Sequence, residues 1–391
     1  MFHNPLKDLH RQAEAEFQSW ADIEIVQTFG EPQAEYAFIR KSVGMIDLPQ
    51  RGILELTGKD RLPFLNNLLT NQTWDKSKKI GLQSGQGVYA FMLNLRGRIV
   101  ADMNVLELGD RTLLEMDVRL IEPLRAVLEK YRFAEQVNLT SRVGTLHEIA
   151  LHGPGVPQLL GIALDQPLQT AQIRLFDTDA IAWRDDPTGS FGCHLILPME
   201  SAKVVWMNLL TQSGAVSEGA KRILRPVGWA AFNATRIEAG RPIFGIDFDA
   251  APIATAAPGK KEDKQTESQP IGALPVETGL FDRAVSVTKG CYLGQEIVAR
   301  MHARGQVARQ IAGIRMETDA LPIAGEQVFD EQSTPVGVIT SSTVSPVLSN
   351  VAICLALVKK PHFELGAKLK IPAEGELREG TIVPLPFVKM G

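Results

Sequence analysis

An α+β fold with a small C-terminal β-barrel is what this 391-residue chain predicts, and three features of the sequence carry that expectation. Apolar residues alternate with period two through much of the chain. Runs of helical spacing interrupt that alternation before residue 300. Past Gln306 the helical runs stop, and short strand-like runs are punctuated by Gly325, Gly337, Pro346, Gly366 and Gly375, as in a small all-β barrel or sandwich. The length exceeds a single ordinary core, so two or three domains are expected.

The elements follow in order. Arg51-Gly-Ile-Leu-Glu-Leu-Thr-Gly58 alternates as a strand ending in a turn, and Asp60 caps a helix with Leu62, Phe64, Leu65, Leu68 and Leu69 on one side. Residues 87–94 and 99–108 form a β-hairpin around Leu95-Arg96-Gly97-Arg98. On its second strand Val100, Asp102, Asn104 and Leu106 share a side, so the two polar residues mark either an exposed strand face or one turned toward a ligand. A strand at 111–117, an amphipathic helix at 121–131 and a strand at 136–141 complete one compact α+β unit. A second unit has a strand at 146–151, a short helix after Gly153-Pro154-Gly155, a hairpin at 173–177 and 180–184, a strand at 192–198 and a helix at 200–210. Residues 249–270 lack aromatic and nearly all branched aliphatic side chains, which predicts a flexible surface insert. Barrel strands are expected at 307–316, 327–329, 336–341, 351–358 and 368–371, with the domain boundary near Ala303, giving regions 1–302 and 303–391.

With 45% hydrophobic and 22% charged residues, the composition is that of a globular protein. The start, Met1-Phe2-His3-Asn4-Pro5-Leu6, leads into a polar stretch without the apolar core of a signal peptide, and no apolar run reaches membrane-spanning length. Three widely spaced cysteines form neither a disulfide framework nor a metal-ligand pair, so no zinc site is expected and the cytoplasm is the expected compartment. A net charge of -4 gives no global attraction to nucleic acid. Any RNA contact would need a local patch, for which Lys289, Arg300, Arg304 and Arg309, with His302 among them, are the candidates; a solvated face is the plainer account.

Chemistry concentrates at 288–300, Thr-Lys-Gly-Cys-Tyr-Leu-Gly-Gln-Glu-Ile-Val-Ala-Arg. Lone cysteines are usually small buried hydrophobes, as expected of Cys193 and Cys354 in their apolar runs. Cys291 differs. Gly290 and Gly294 allow a turn or a close backbone approach. Lys289 would favour a thiolate, and Gln295 and Glu296 supply groups able to orient a ligand or a proton.

Together, Val43-Gly-Met-Ile-Asp-Leu48 with Leu56-Thr-Gly58, the 89–102 hairpin containing Leu93-Asn94, Arg236-Ile-Glu-Ala-Gly240, and Thr288-Lys-Gly-Cys-Tyr-Leu-Gly-Gln-Glu296 resemble the glycine-cleavage T-protein superfamily. The cysteine motif most resembles its YgfZ-type branch. What the resemblance implies is a ring of three domains, two α+β and one of them ferredoxin-like, with a C-terminal barrel and tetrahydrofolate or a one-carbon derivative at the centre. It places the pterin-proximal acid on Asp102, with Tyr89 across the hairpin and Asn94 at its turn, and the remaining folate contacts on Arg236, Glu238, Lys289, Gly290, Gly294, Gln295 and Glu296. Arg236 and Glu238, at i and i+2, point to different faces of a helix, so one of them is expected to reach the ligand.

The chain departs from the aminomethyltransferase pattern where Ala101 precedes Asp102, in Thr188-Gly-Ser-Phe-Gly192, and at Phe232-Asn233, where acids and an arginine are usual in that family. The expectation is therefore a folate-binding accessory protein for iron–sulfur cluster assembly and linked tRNA modification. In it Cys291 and Asp102 are the reactive residues, and Cys291 touches a cluster transiently, its other ligands coming from client or assembly proteins. The alternative is a tetrahydrofolate-dependent aminomethyltransferase or demethylase of the T-protein type.

Overall fold

The computed structural model describes residues 3–213, 223–252, 272–304 and 307–389; the predicted insert at 249–270 lies outside the described residues from 253 onward. The chain forms two compact units that interleave in sequence. The first comprises Met1–Asn66, Thr73–Tyr89 and Met103–Phe232, the second Asn67–Gln72, Ala90–Asp102 and Asn233–Gly391. No helix among the described residues is long and apolar enough to cross a membrane.

In the first unit a six-stranded sheet runs in the order Thr170–Leu175, Thr178–Arg184, Gly192–Pro198, Leu146–His152, Val43–Asp47, Leu224–Pro226. Val43, Met45, Ile149, Leu151, Cys193, Leu195 and Leu197 bury one face against Val205, Trp206 and Leu209 of the helix Ala202–Gln212. Each such side chain contributes about 1.5–3 kcal/mol of burial, and burial pushes the Cys193 thiol up to about 12. Period two then dictates the other face: Glu148, His152, Trp183 and His194 turn away from this core, and a one-residue slip would drive them into it. Asp47 ties down the N-terminal segment, accepting from Asn4 Nδ2 at 2.8 Å and from the imidazoles of His10 at 2.8 Å and His147 at 2.7 Å. Burial pushes its carboxyl up, yet the two histidines hold it well below the usual range.

A five-stranded sheet has the order Asn138–Ser141, Arg51–Thr57, Arg111–Asp117, Ile99–Glu107, Gly87–Leu93. The predicted helix is present as Ile121–Tyr131 and buries Ile121, Leu124, Val127 and Leu128, its apolar stripe. All nine residues of Ile99–Glu107 are buried. Asp102 and Asn104 are therefore interior polar groups, and the exposed-face account of them falls.

In the second unit a closed barrel runs Arg309–Met316, Val351–Lys359, Pro335–Ser345, Gln327–Phe329, Lys368–Ala373, Glu376–Val383. Ile314, Met316, Val328, Ile339, Cys354, Val358, Leu369, Ile371 and Ile382 fill it. The closing strand, Glu376–Val383, has no counterpart among the predicted strands. Only Gly380 and Ile382 of its eight residues are buried, so Glu376, Arg378 and Glu379 hide its strand character.

Candidate functional site

Between the two sheets of the first unit lies a layer of buried polar side chains. The sheet register aligns Asn104 with Glu115 on neighbouring strands, and Arg51 grips the Glu115 carboxylate with two guanidinium nitrogens, Nη2 at 2.8 Å from Oε2. Asn104 Nδ2 donates to the same carboxylate at 2.7 Å. Facing it, the six-stranded sheet presents Glu148, whose Oε1 lies 2.7 Å from His194 Nδ1. Trp183, opposite His194 in the register, stacks on that imidazole at 4.2 Å between ring centres. His152 follows, 5.7 Å from His194 and 5.4 Å from Phe232.

Solvent does not explain these groups: Glu115, Glu148, His152 and Trp183 are 0–2% exposed. Burial, and secondarily the Glu115 charge, raise the Glu148 carboxyl above its ordinary range, with His194 and Arg51 opposing. Burial lowers His152 to about 3, so its imidazole is neutral. Among the described residues Asn104 Oδ1, Glu148 Oε2, His194 Nε2, Trp183 Nε1 and both His152 ring nitrogens are buried without a hydrogen-bond partner. Each such atom costs about 1–3 kcal/mol. Their concentration in one layer, beside an aromatic surface, makes this layer the candidate site for a planar, hydrogen-bonding ligand.

The same sheets continue outward into an open groove of about 750 Å3. Leu113, Leu146 and Ile196, each two positions along its strand from Glu115, Glu148 or His194, line its floor. Arg111, Arg142 and Arg174 rim it, paired with Glu55, Asp110 and Asp179.

Of the residues singled out in the sequence, Asn104 lies in this layer, and Asp102 lies two positions before it on the same strand. Tyr89 and Asp102 are each 7% exposed on the strands Gly87–Leu93 and Ile99–Glu107. In the second unit Asn94 caps its own turn, its Oδ1 accepting from the backbone N–H of Arg96 at 3.0 Å and Arg98 at 3.1 Å. That turn seats the cysteine motif. Gly294, at φ +77°, would place a Cβ 2.6 Å from the Asn94 carbonyl oxygen and 3.2 Å from Gly97 Cα. Gly294→Ala is expected to cost about 1–3 kcal/mol of backbone strain and to open the 288–296 loop; hydrogen exchange of those amides, faster in the variant, checks it.

Cys291 and Gly290 are exposed. Lys289 is turned inward: its Nζ donates to the carbonyls of Leu69 and, at 2.9 Å, Asn71, and sits 5.0 Å from the Tyr292 ring centre. Its ammonium thus fastens the loop. Gln295 and Glu296 open the helix Gln295–Arg304, where exposed Glu296 pairs with Arg300 at 2.9 Å. Arg309 is engaged by Glu277 at 3.0 Å, so Arg300 and Arg309 of the expected basic patch are both paired with acids, and the Arg304 side chain lies outside the described residues.

Arg236 and Glu238, expected at a folate, are buried anchors. Arg236 pairs with Asp247 and donates to Asn233 Oδ1 at 2.8 Å, while Glu238 accepts from Ser345 Oγ, and its backbone carbonyl from Val388 N–H. The groups that sequence reasoning missed are Arg51, Glu115, Glu148, His152, Trp183 and His194. Their signal was present: in Leu146–His152, Glu148 and His152 occupy one side while Ile149 and Leu151 supply the core, which a uniformly apolar buried strand would not show.

Residues 6–256 match the GCVT N-terminal domain and residues 309–389 the glycine cleavage T-protein C-terminal barrel domain. The chain belongs to the glycine cleavage T-protein family. It is similar to the aminomethyltransferase of Halalkalibacterium halodurans, 27% identical over 400 residues, covering 99% of this chain and 98% of that protein. It is likewise similar to the aminomethyltransferase of Desulfitobacterium hafniense, 27% identical over 394 residues with 98% and 97% covered. The crystal structure of glycine cleavage system aminomethyltransferase T from Bartonella henselae shares its fold, with a TM-score of 0.81, 22% identity, and 98% and 97% of the two chains covered. These relatives support the superfamily that the motifs resemble, and point to aminomethyltransferases rather than to the YgfZ-type branch.

Proposed function

We propose that the protein is a tetrahydrofolate-dependent aminomethyltransferase of the T-protein type, holding the reduced pterin in the polar layer of the first unit. The observation that carries this is the cluster of buried, unpartnered donors and acceptors at Asn104, Glu148, Trp183 and His194. A reduced pterin fits that donor set. Its amino and ring N–H groups suit Glu148 Oε2 and Asn104 Oδ1, and its carbonyl suits the Trp183 N–H. When bound, tetrahydrofolate supplies nitrogens that accept a single carbon. The chain's own contribution is to bind and orient the head group, exclude water and, through the Asp102 carboxylate, hold or move a proton near the reacting nitrogen. Ala101 and Phe232 remove an acid and a clamp usual in the family, yet the layer supplies acids of its own in Glu115 and Glu148. The three free thiols suit a reducing cytoplasm.

A second function is favoured by one observation, the exposure of Cys291 on its glycine-bounded loop: an accessory role toward iron–sulfur client proteins and tRNA modification, with the thiol as contact. Two assays separate the two. Tetrahydrofolate titration followed by tryptophan fluorescence is expected to change emission, because Trp183 lies in the layer, and folate-dependent aminomethyl transfer from a glycine-cleavage intermediate is expected to proceed. Cys291→Ser should leave that transfer unchanged. Absent transfer, together with loss of iron–sulfur enzyme activity in cells carrying Cys291→Ser, would reverse the order of the two readings.

A further inference from the structure

We propose that Glu148 and His194 form a proton-exchanging pair that couples capture of an N–H-bearing edge of the ligand to release of one proton from the protein. The inference rests on the folate reading and goes beyond it, since nothing in the family resemblance gives these two residues that role. Geometry supports it first. Glu148 Oε1 and His194 Nδ1 are 2.7 Å apart, the second oxygen of the acid and the second nitrogen of the ring are both buried without a partner, and Trp183 stacks on the imidazole at 4.2 Å. A pair joined through one atom of each, with the other two atoms open to the same layer, can hold one proton more or one fewer without moving.

The surrounding charges set which state prevails. Glu115, gripped by Arg51, faces Glu148 from the five-stranded sheet; His194 approaches from the adjoining strand; neutral His152, with Asp185 near it, lies along the strand of Glu148 itself. Burial and the Glu115 charge favour the protonated acid, against His194 and Arg51. The state we assign before binding places two protons on the pair, one within the 2.7 Å contact and one on the second ring nitrogen of His194. A ligand edge that donates N–H bonds to Glu148 Oε2 is held more strongly by the carboxylate than by the carbonyl oxygen of the neutral acid. On capture the carboxyl O–H bond breaks, His194 keeps a single proton, now on Nδ1 and donated to Oε1, and the other proton passes to the buffer. His194 Nε2 is left as an acceptor for a second ligand donor.

The sign follows. A ligand that prefers the deprotonated pair binds more tightly as pH rises through the pair's titration, by up to about tenfold per pH unit, and then levels off. Tetrahydrofolate binding to the full-length protein, kept under anaerobic conditions, is measured by calorimetry in two buffers of different ionisation enthalpy and by fluorescence between about pH 6 and pH 9. The expected results are release of about one proton on binding below the pair's titration and affinity that climbs with pH through it. Glu148→Gln, which keeps the shape but cannot ionise, should bind more weakly and with a flat profile. Binding without proton release in the wild type, or an equal slope in Glu148→Gln, overturns the proposal while leaving the folate reading standing. No binding at any pH overturns both. The wild-type proton count requires no variant to fold.

Discussion

Replacing Arg236 by methionine is expected to destabilise the second unit by about 3–5 kcal/mol, the cost of stranding one partner of a buried ion pair. Arg236 and Asp247 are both fully enclosed, with side chains 0% exposed. Burial disfavours the guanidinium charge, and Asp247 is what offsets it. Asp247 in turn accepts from Ile243 N–H at 2.9 Å and from Thr340 and Ser341 hydroxyls at 2.6 Å each, so it joins the end of the helix Trp229–Glu238 to the barrel strand Pro335–Ser345 within that unit. Without Arg236 the carboxylate keeps its hydrogen bonds but loses its counter-charge. Thermal unfolding should show an early transition assignable to this unit. The double variant Arg236→Met/Asp247→Leu should recover much of the loss, because removing both charges removes the stranded one. Unchanged stability in the single variant would mean that water reaches the pair.

Asp102→Asn is expected to cut the rate of aminomethyl transfer by about 10²–10⁴-fold, the usual contribution of a positioned acid or base, while tetrahydrofolate affinity moves only a few-fold. The isosteric amide preserves packing in a strand whose nine residues are all buried, so the loss would reside in the proton that an amide cannot hold. Single-turnover rates with saturating folate, set beside an equilibrium titration, separate the two. Equal losses in rate and affinity would make Asp102 a binding residue, and an unaffected rate would remove it from the chemistry.

Much of the fold is legible along the chain. The helix at 121–131 and the strand at 192–198 appear with the expected bounds, because both carry a local hydrophobic period that tertiary contacts reinforce. The hairpin Glu16–Trp20 with Ile23–Thr28 was not anticipated; Glu16 and Ser19 are exposed, and its two strands differ sharply in burial, so neither half alternates plainly. The cysteine motif makes contacts that its local sequence does not reveal. Its glycines were expected to permit a close approach, and at Gly294 the object approached is the Asn94 turn of the same unit. Lys289 shows why proximity in sequence is a weak guide: two residues from the thiol, its ammonium fastens carbonyls at Leu69 and Asn71, more than two hundred positions away.

By itself the sequence determined the alternation of strands and helices, the barrel after residue 307, the enclosed Cys193 and Cys354, and the superfamily though not its branch, because each depends on local periodicity or on contiguous motifs. Only the tertiary structure decided which polar residues face one another. Arg51, Glu115, Glu148, Trp183 and His194 come from five strands that lie far apart along the chain. Their shared property, burial among unpartnered donors and acceptors, exists only once two sheets have closed over them and water has gone.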